Sequence, residues 1–144
     1  MRIYIGSDHA GFHLKDTLKT YIQQNIESEL IDLGAFSEES VDYPEIAREV
    51  AEKVVENPDS FGILICGTGI GMCIAANKHR GIRAVDATSE HMAEMSRKHN
   101  NANVLCLGGR MLQPEMAQQI VKTFLTTSFE AEERHQRRID KLEK

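Results

Sequence analysis

Apolar residues along this chain gather in five short runs, near 2–6, 29–33, 61–66, 82–86 and 104–107. Between the runs the apolar positions spread out to helical spacing, near 12–25, 43–56, 70–80, 88–99 and 113–127. Leu14, Leu18, Tyr21 and Ile22 recur every three or four residues, as do Met116, Ile120, Val121 and Phe124. Pro44 and Pro114 stand where the first turn of a helix tolerates proline. This alternation predicts a parallel sheet covered by helices on both faces, in one domain spanning 1–144. The charged stretch from Glu130 to Lys144 has few apolar points beyond Ile139 and Leu142, and reads as a helix that docks on something, a second copy of the chain included.

Composition narrows the classes of function. A net charge of −5 argues against general nucleic-acid binding, so any anionic substrate must be gripped by local basic residues. No apolar run reaches membrane-spanning length, and strand character begins at Arg2 with no secretory pattern ahead of it. Cys66, Cys73 and Cys106 form an odd set without Cys-x-x-Cys spacing, which points away from disulfides and structural zinc and toward a reducing cytoplasm.

Ligands in open α/β sheets bind beyond the carboxyl ends of the strands. The residues there are Gly6-Ser7-Asp8-His9, Gly34, Cys66-Gly67-Thr68-Gly69, Asp86-Ala87-Thr88 and Gly108-Gly109-Arg110. Acid, base, thiol, hydroxyl and guanidinium thus meet on one rim. The densest chemistry is Cys66 followed by Gly67-Thr68-Gly69-Ile70-Gly71, a thiol beside a glycine turn that opens a helix. Glycines let backbone N–H groups approach an anion, and such a setting lowers a thiol pKa from its usual ~8.5. A lone cysteine at a strand end is ordinarily a core residue; the turn after Cys66 changes that reading, while Cys73 and Cys106 are read as core. A dinucleotide fingerprint is the rival reading of the glycines, but Met72 occupies its third glycine position and the motif follows the third strand.

Histidines are weighed in the same way. His9 and His13 have a zinc-like spacing of four, but His9 falls in a turn and no carboxylate–histidine cluster completes a site, so no metal is expected. His79 and His91 are read as helical surface residues. His99, at a helix end, is either a cap for the helix dipole or an acid/base near the rim. Arg134 and Arg138, one turn apart, form either a solvated face or a phosphate grip. Asp8 is either an N-cap or a group facing the crevice.

Taken together, these residues resemble the type B ribose-5-phosphate isomerases, a family that includes allose-6-phosphate isomerases and galactose-6-phosphate isomerase subunits. The resemblance runs along nearly the whole chain. It is carried by Gly6-Ser7-Asp8-His9-Ala10-Gly11-Phe12, Asp42-Tyr43-Pro44, the run from Gly62 to Gly71, Ile74-Ala75-Ala76-Asn77-Lys78, Gly81-Ile82-Arg83-Ala84, Ser96-Arg97, His99-Asn100, Ala102-Asn103-Val104-Leu105 and Gly108-Gly109-Arg110. It implies a Rossmann-like, flavodoxin-like three-layer α/β/α domain with an extended C-terminal helix, no metal or organic cofactor, and a homodimer or tetramer with shared active sites. Asp8, His9, Cys66 and the glycine loop would come from one subunit, and His99, Asn100, Arg110, Arg134 and Arg138 from its partner.

The implied chemistry is aldose–ketose isomerisation of ribose 5-phosphate and ribulose 5-phosphate. His99, supported by Asp8, would open the ring; Cys66 would act as base; Thr68 would pass a proton between oxygens. Gly67, Gly69, Ile70 and Gly71 would line the anion loop, while His9, Arg110, Arg134 and Arg138 would hold phosphate. A hexose 6-phosphate isomerase and a non-catalytic phosphate- or nucleotide-binding module are the alternatives. Two departures from the family pattern stand out. Glu130-Ala131-Glu132-Glu133 replaces the glycine pair expected before Arg134-His135, and Asp86-Ala87-Thr88 is unusually polar.

Overall fold

The computed structural model describes residues 1–144 and contains five strands and six helices. The strands are β1 (Arg2–Ser7), β2 (Glu29–Asp32), β3 (Ser60–Cys66), β4 (Ala84–Asp86) and β5 (Val104–Gly108). The helices are α1 (Phe12–Asn25), α2 (Tyr43–Glu56), α3 (Ile70–Ala76), α4 (Glu90–Asn100), α5 (Pro114–Thr126) and α6 (Glu133–Leu142). All four strand pairings are parallel, in the order β2-β1-β3-β5-β4. The expected α/β/α class is therefore present, with one difference from the flavodoxin order. Here β5 lies beside β3, and the short β4 takes the edge.

Side-chain alternation along the strands builds the two faces. Ile3, Ile5, Ile63, Ile65, Leu105 and Leu107 point into one core with Leu18 and Ile22 of α1 and Ile120 and Phe124 of α5. Tyr4, Leu64, Cys66, Val104 and Cys106 point the other way, onto Val50 and Val54 of α2 and Met72 of α3. Met116 alone of its predicted stripe stays largely outside, at 40 % exposure. Cys106 is buried as expected; Cys73 is only half-buried, with its sulfur 3.5 Å from the Ala84 carbonyl, because α3 is too short to bury both flanks.

Two boundaries around Asn77 differ from the sequence reading. The helix expected to run to 80 ends at Ala76, where Asn77 turns its side chain to β4 and Gly81 takes a φ of +85°. His79 therefore lies in a turn, half-buried, while His91 is helical and exposed as expected. Shortening of the fourth strand to three residues follows from the same turn. The charged tail does form a helix. It docks on its own chain, burying His135 and Ile139, with Glu143 reaching Arg83 and the Gly81 amide.

Candidate active site

The sheet's switch point lies between β1 and β3, where the chain, having added β2 on one side, crosses to the other. Asp8 and His9 leave β1 there and Cys66 leaves β3, so the topology alone brings them together. Backbone hydrogen bonds bind these exits into one rim. The Asp8 N–H donates to the Ile65 carbonyl (3.1 Å), Gly109 N–H to Cys66 (2.7 Å) and Arg110 N–H to Gly67 (3.0 Å).

Cys66 is 4 % exposed, and its sulfur accepts a hydrogen bond from the Gly69 N–H at 3.2 Å. Gly69 has a φ of +86°, and a β-carbon there would collide with the Asp86 carboxylate, so the loop needs glycine twice over. Thr68 is exposed, and its hydroxyl accepts from the Ile70 N–H at 3.3 Å. Gly67 offers its carbonyl to Arg110, which leaves the Gly71 N–H in the first turn of α3 with no intrahelical acceptor. Over Gly71 lies the ring of Tyr43, so close that a β-carbon would stand 2.7 Å from it. Tyr43 lies against the glycine loop and forms part of the site's wall, a contact its place in Asp42-Tyr43-Pro44 does not report.

Asp8 is a cap, and a buried one. Its Oδ1 accepts from Ala10 and Gly11 N–H groups at 2.9 and 3.1 Å, fixing the short 3-10 turn (His9–Gly11) that carries His9 onto the rim. His9 Nδ1 accepts from the Val41 N–H at 3.4 Å, while His13 pairs with Glu38 on the solvent side. The two rings are thus engaged separately. Arg110 lies over Gly67, its Nη1 about a van der Waals contact from the position of a β-carbon there (3.5 Å). The structure therefore corrects its grouping with the residues that reach in from elsewhere: Arg110 belongs to the Cys66 side of its own chain.

His99 is also not where an acid/base on that rim would be. After its N-cap Ser89, α4 runs antiparallel to the strands and ends at Asn100, just before β5 begins. Asn103 donates its N–H to Arg83 and accepts from Gly62, which puts this end of α4 at the amino edge of the sheet. Cys66 stands at the carboxyl edge, four residues or about 13 Å beyond Gly62 along β3. Arg134 and Arg138, on α6, share the His99 edge. Arg134 is held by Glu132 at 2.7 Å, one of the carboxylates that replace the expected glycines. Asn100 gives its carbonyl to Arg83 (3.0 Å) and, with Ser96 and Arg83, lines a cavity of about 620 Å³ at that edge. His135 and Glu130, which the sequence reading passed over, also lie there. His135 stacks on His99 with ring centroids 4.4 Å apart and planes 15° from parallel. The one available hint was the helical spacing of His135 and Ile139, which places both on the docked face of α6.

Such a site, a thiol that accepts from one loop amide at the switch point of an open parallel sheet with a guanidinium over the loop, belongs to a class: α/β proteins suited to small anions. Comparison with known proteins narrows it. The family model described as Ribose/Galactose Isomerase matches residues 3–142, and the chain belongs to that family. It is 43% identical over 141 residues to the ribose-5-phosphate isomerase B of Escherichia coli, covering 98% of this chain and 93% of that protein. The crystal structure of a ribose 5-phosphate isomerase from Thermotoga maritima superposes with a TM-score of 0.94 at 50% identity, covering 99% of this chain and 97% of that one. Ribose-5-phosphate isomerase B from Clostridium thermocellum gives a TM-score of 0.96 at 45% identity over 99% and 95% of the two chains.

Proposed function

We propose that this protein interconverts ribose 5-phosphate and ribulose 5-phosphate, with each active site built from two copies of the chain. The relatives named for that activity support the reaction. The observation that carries the shared site is the separation of Cys66 and His99 onto opposite edges of one sheet: no motion within a folded protomer brings them to one sugar. On α3, Ile70 and Ile74 are 55 % and 57 % exposed beside the loop, an apolar surface suited to a second copy.

In this reading the second protomer's His99 moves a proton on the furanose so that the ring opens to the aldehyde. Cys66, as thiolate, takes the proton from C2, and the electron pair moves toward C1 to give a cis-enediolate. Amides of the glycine loop hold the negative oxygen. Thr68 passes a proton between O1 and O2, the proton on Cys66 returns to C1, and the ketose results. Asp8 keeps His9 in place, and His9 with Arg110 meets the phosphate together with Arg134 and Arg138 of the second copy. Positioned proton transfer contributes ~10²–10⁴-fold and each anion-hole donor ~10²–10³-fold.

Complementation tests the shared site. Cys66→Ala and His99→Ala chains, each inactive alone, are unfolded together and refolded; one of the two sites in every mixed dimer then has both residues. Activity returning to about a quarter of the unaltered protein's is expected for random pairing into dimers with two equivalent sites. No recovery, with mixed dimers demonstrated by mass, would remove the shared site. Assays with ribose 5-phosphate beside allose and galactose 6-phosphates, on the same preparation, decide the sugar.

A further inference from the structure

The last turn of α4, the connection after α5 and the first turn of α6 bring three ligating side chains to one place. A ring nitrogen of His99, a carboxylate oxygen of Glu130 and a ring nitrogen of His135 all lie within 4.8 Å of one another. Independently, His135 is 3 % exposed, and neither of its ring nitrogens has a hydrogen-bond partner. Buried polar atoms in folded proteins are almost always satisfied, so two orphans on one ring call for a ligand.

The surroundings suit a cation better than a count of nearby basic residues suggests. Lys98, 3.5 Å from the Glu130 carboxylate, is held more closely by Glu94 at 2.9 Å, and Arg134 is held by Glu132. Glu130 is fixed at the end of α4 by its N–H, which donates to the Lys98 carbonyl at 3.0 Å. Two imidazole nitrogens and one carboxylate oxygen, with a fourth position open, make a ligand set that zinc accepts. Zn–N bonds of ~2.0–2.1 Å put ligand atoms roughly 3.3 Å apart, so binding would turn the half-exposed His99 ring out of its stack on His135 and bring Glu130 in.

We propose that His99, Glu130 and His135 form a binding site for a divalent ion of the zinc class, and that an ion held there takes His99 out of the isomerisation. The second half of this proposal rests on the role given to His99 above.

The test separates binding from inhibition. Full-length Cys66→Ala protein, which lacks the competing active-site thiol, is titrated with Zn²⁺ by calorimetry and with Co²⁺ by absorption. One ion per chain is expected, with d–d bands of a nitrogen–oxygen site and no thiolate charge-transfer absorption. Glu130→Gln, at a position exposed enough to fold, should weaken binding at least tenfold, and so should His135→Gln. Unchanged binding in both variants, or a thiolate spectrum, overturns the site. With the unaltered protein, Zn²⁺ should lower ribose 5-phosphate turnover at least tenfold, a chelator should restore it, and Glu130→Gln should resist relative to its own metal-free rate. Binding that depends on Glu130 and His135 while turnover stays untouched would uphold the ligand set and overturn the link to His99.

Discussion

Asp86 Oδ1 is buried without a hydrogen-bond partner against Gly69, filling the space a side chain at residue 69 would need. The loop that feeds the Cys66 sulfur therefore rests on a carboxyl group. Replacing Gly69 by alanine forces a β-carbon into that carboxyl and imposes a left-handed conformation that costs ~1–2 kcal/mol by itself. Gly69→Ala is expected to lose at least about 2 kcal/mol in urea unfolding and to lose isomerisation more steeply than stability.

Asp86 gives a pH prediction of definite sign. Burial holds its carboxyl above the ordinary value. The unfolded chain then releases this proton first, near ~3.9, so stability falls as pH rises from there through the higher folded value, and the loss persists at neutral pH. Asp86→Asn should be more stable than the parent at pH 7, with the gap closing in acid. An equal gap at both pH values would show that the carboxyl is not strained by its site.

Lys15 is fully buried in α1 and donates to Asp32 (2.8 Å) and the Ala35 carbonyl, while Lys19 donates to the other Asp32 oxygen at 2.7 Å. Burial alone would raise the Asp32 carboxyl, but Lys15, Lys19 and the Gly34 N–H outweigh it and hold it below the ordinary value. The stability this supplies is present above the unfolded value of ~3.9 and is lost as pH falls through the lower folded one. Asp32→Ala leaves the Lys15 ammonium unpaired and should cost ~3–5 kcal/mol at pH 7. Lys15→Met removes the buried charge itself and should cost much less. Thermal unfolding of the two variants, at neutral pH and in acid, checks both.

Cys66→Ala should still bind sugar phosphate yet lose ~10²–10⁴-fold in turnover, if the sulfur is the base. His99→Ala should damage turnover of cyclic substrate more than that of an open-chain analogue, because ring opening precedes enolisation. Equal losses on the two substrates would take ring opening away from His99.

Glu143 ties the end of α6 to the sheet through Arg83 at 2.6 Å and the Gly81 N–H at 3.1 Å. Glu143→Ala should free that end at a cost of ~1–2 kcal/mol, visible as faster amide exchange in α6 with the exchange of β3 unchanged. Arg134 and Arg138 lie on the loosened helix, so the expected kinetic effect is a raised KM rather than a lowered kcat.

How much of this could be seen in the residues depended on range. Strands β1, β3 and β5 and helices α1 and α2 followed from periodicity, since each pairs an apolar stripe with local stop signals. The Cys66 loop was legible because three glycines and a thiol are a local pattern. For His99 the residues left open a helix cap or an acid/base near the rim, because its position depends on α4 returning across the sheet, which spacing does not report. The family resemblance grouped Arg110 with His99, against the short link from β5 back to Gly67. His99 lies more than thirty residues before Glu130 and His135, so only the docking of α6 reveals the cluster. Spacing within α1 says nothing of the burial of Lys15, which Asp32, seventeen residues on, explains.

Asn77 has an effect that reaches beyond one helix end. Its amide donates to the Ala84 carbonyl (3.0 Å) and its oxygen accepts the Ala84 N–H (2.8 Å), as a neighbouring strand would. A single side chain thus seals the outermost ribbon of the sheet, where bare backbone would recruit foreign chains into aggregates. Asn77→Ala would leave the Ala84 pair open to a foreign strand at that edge.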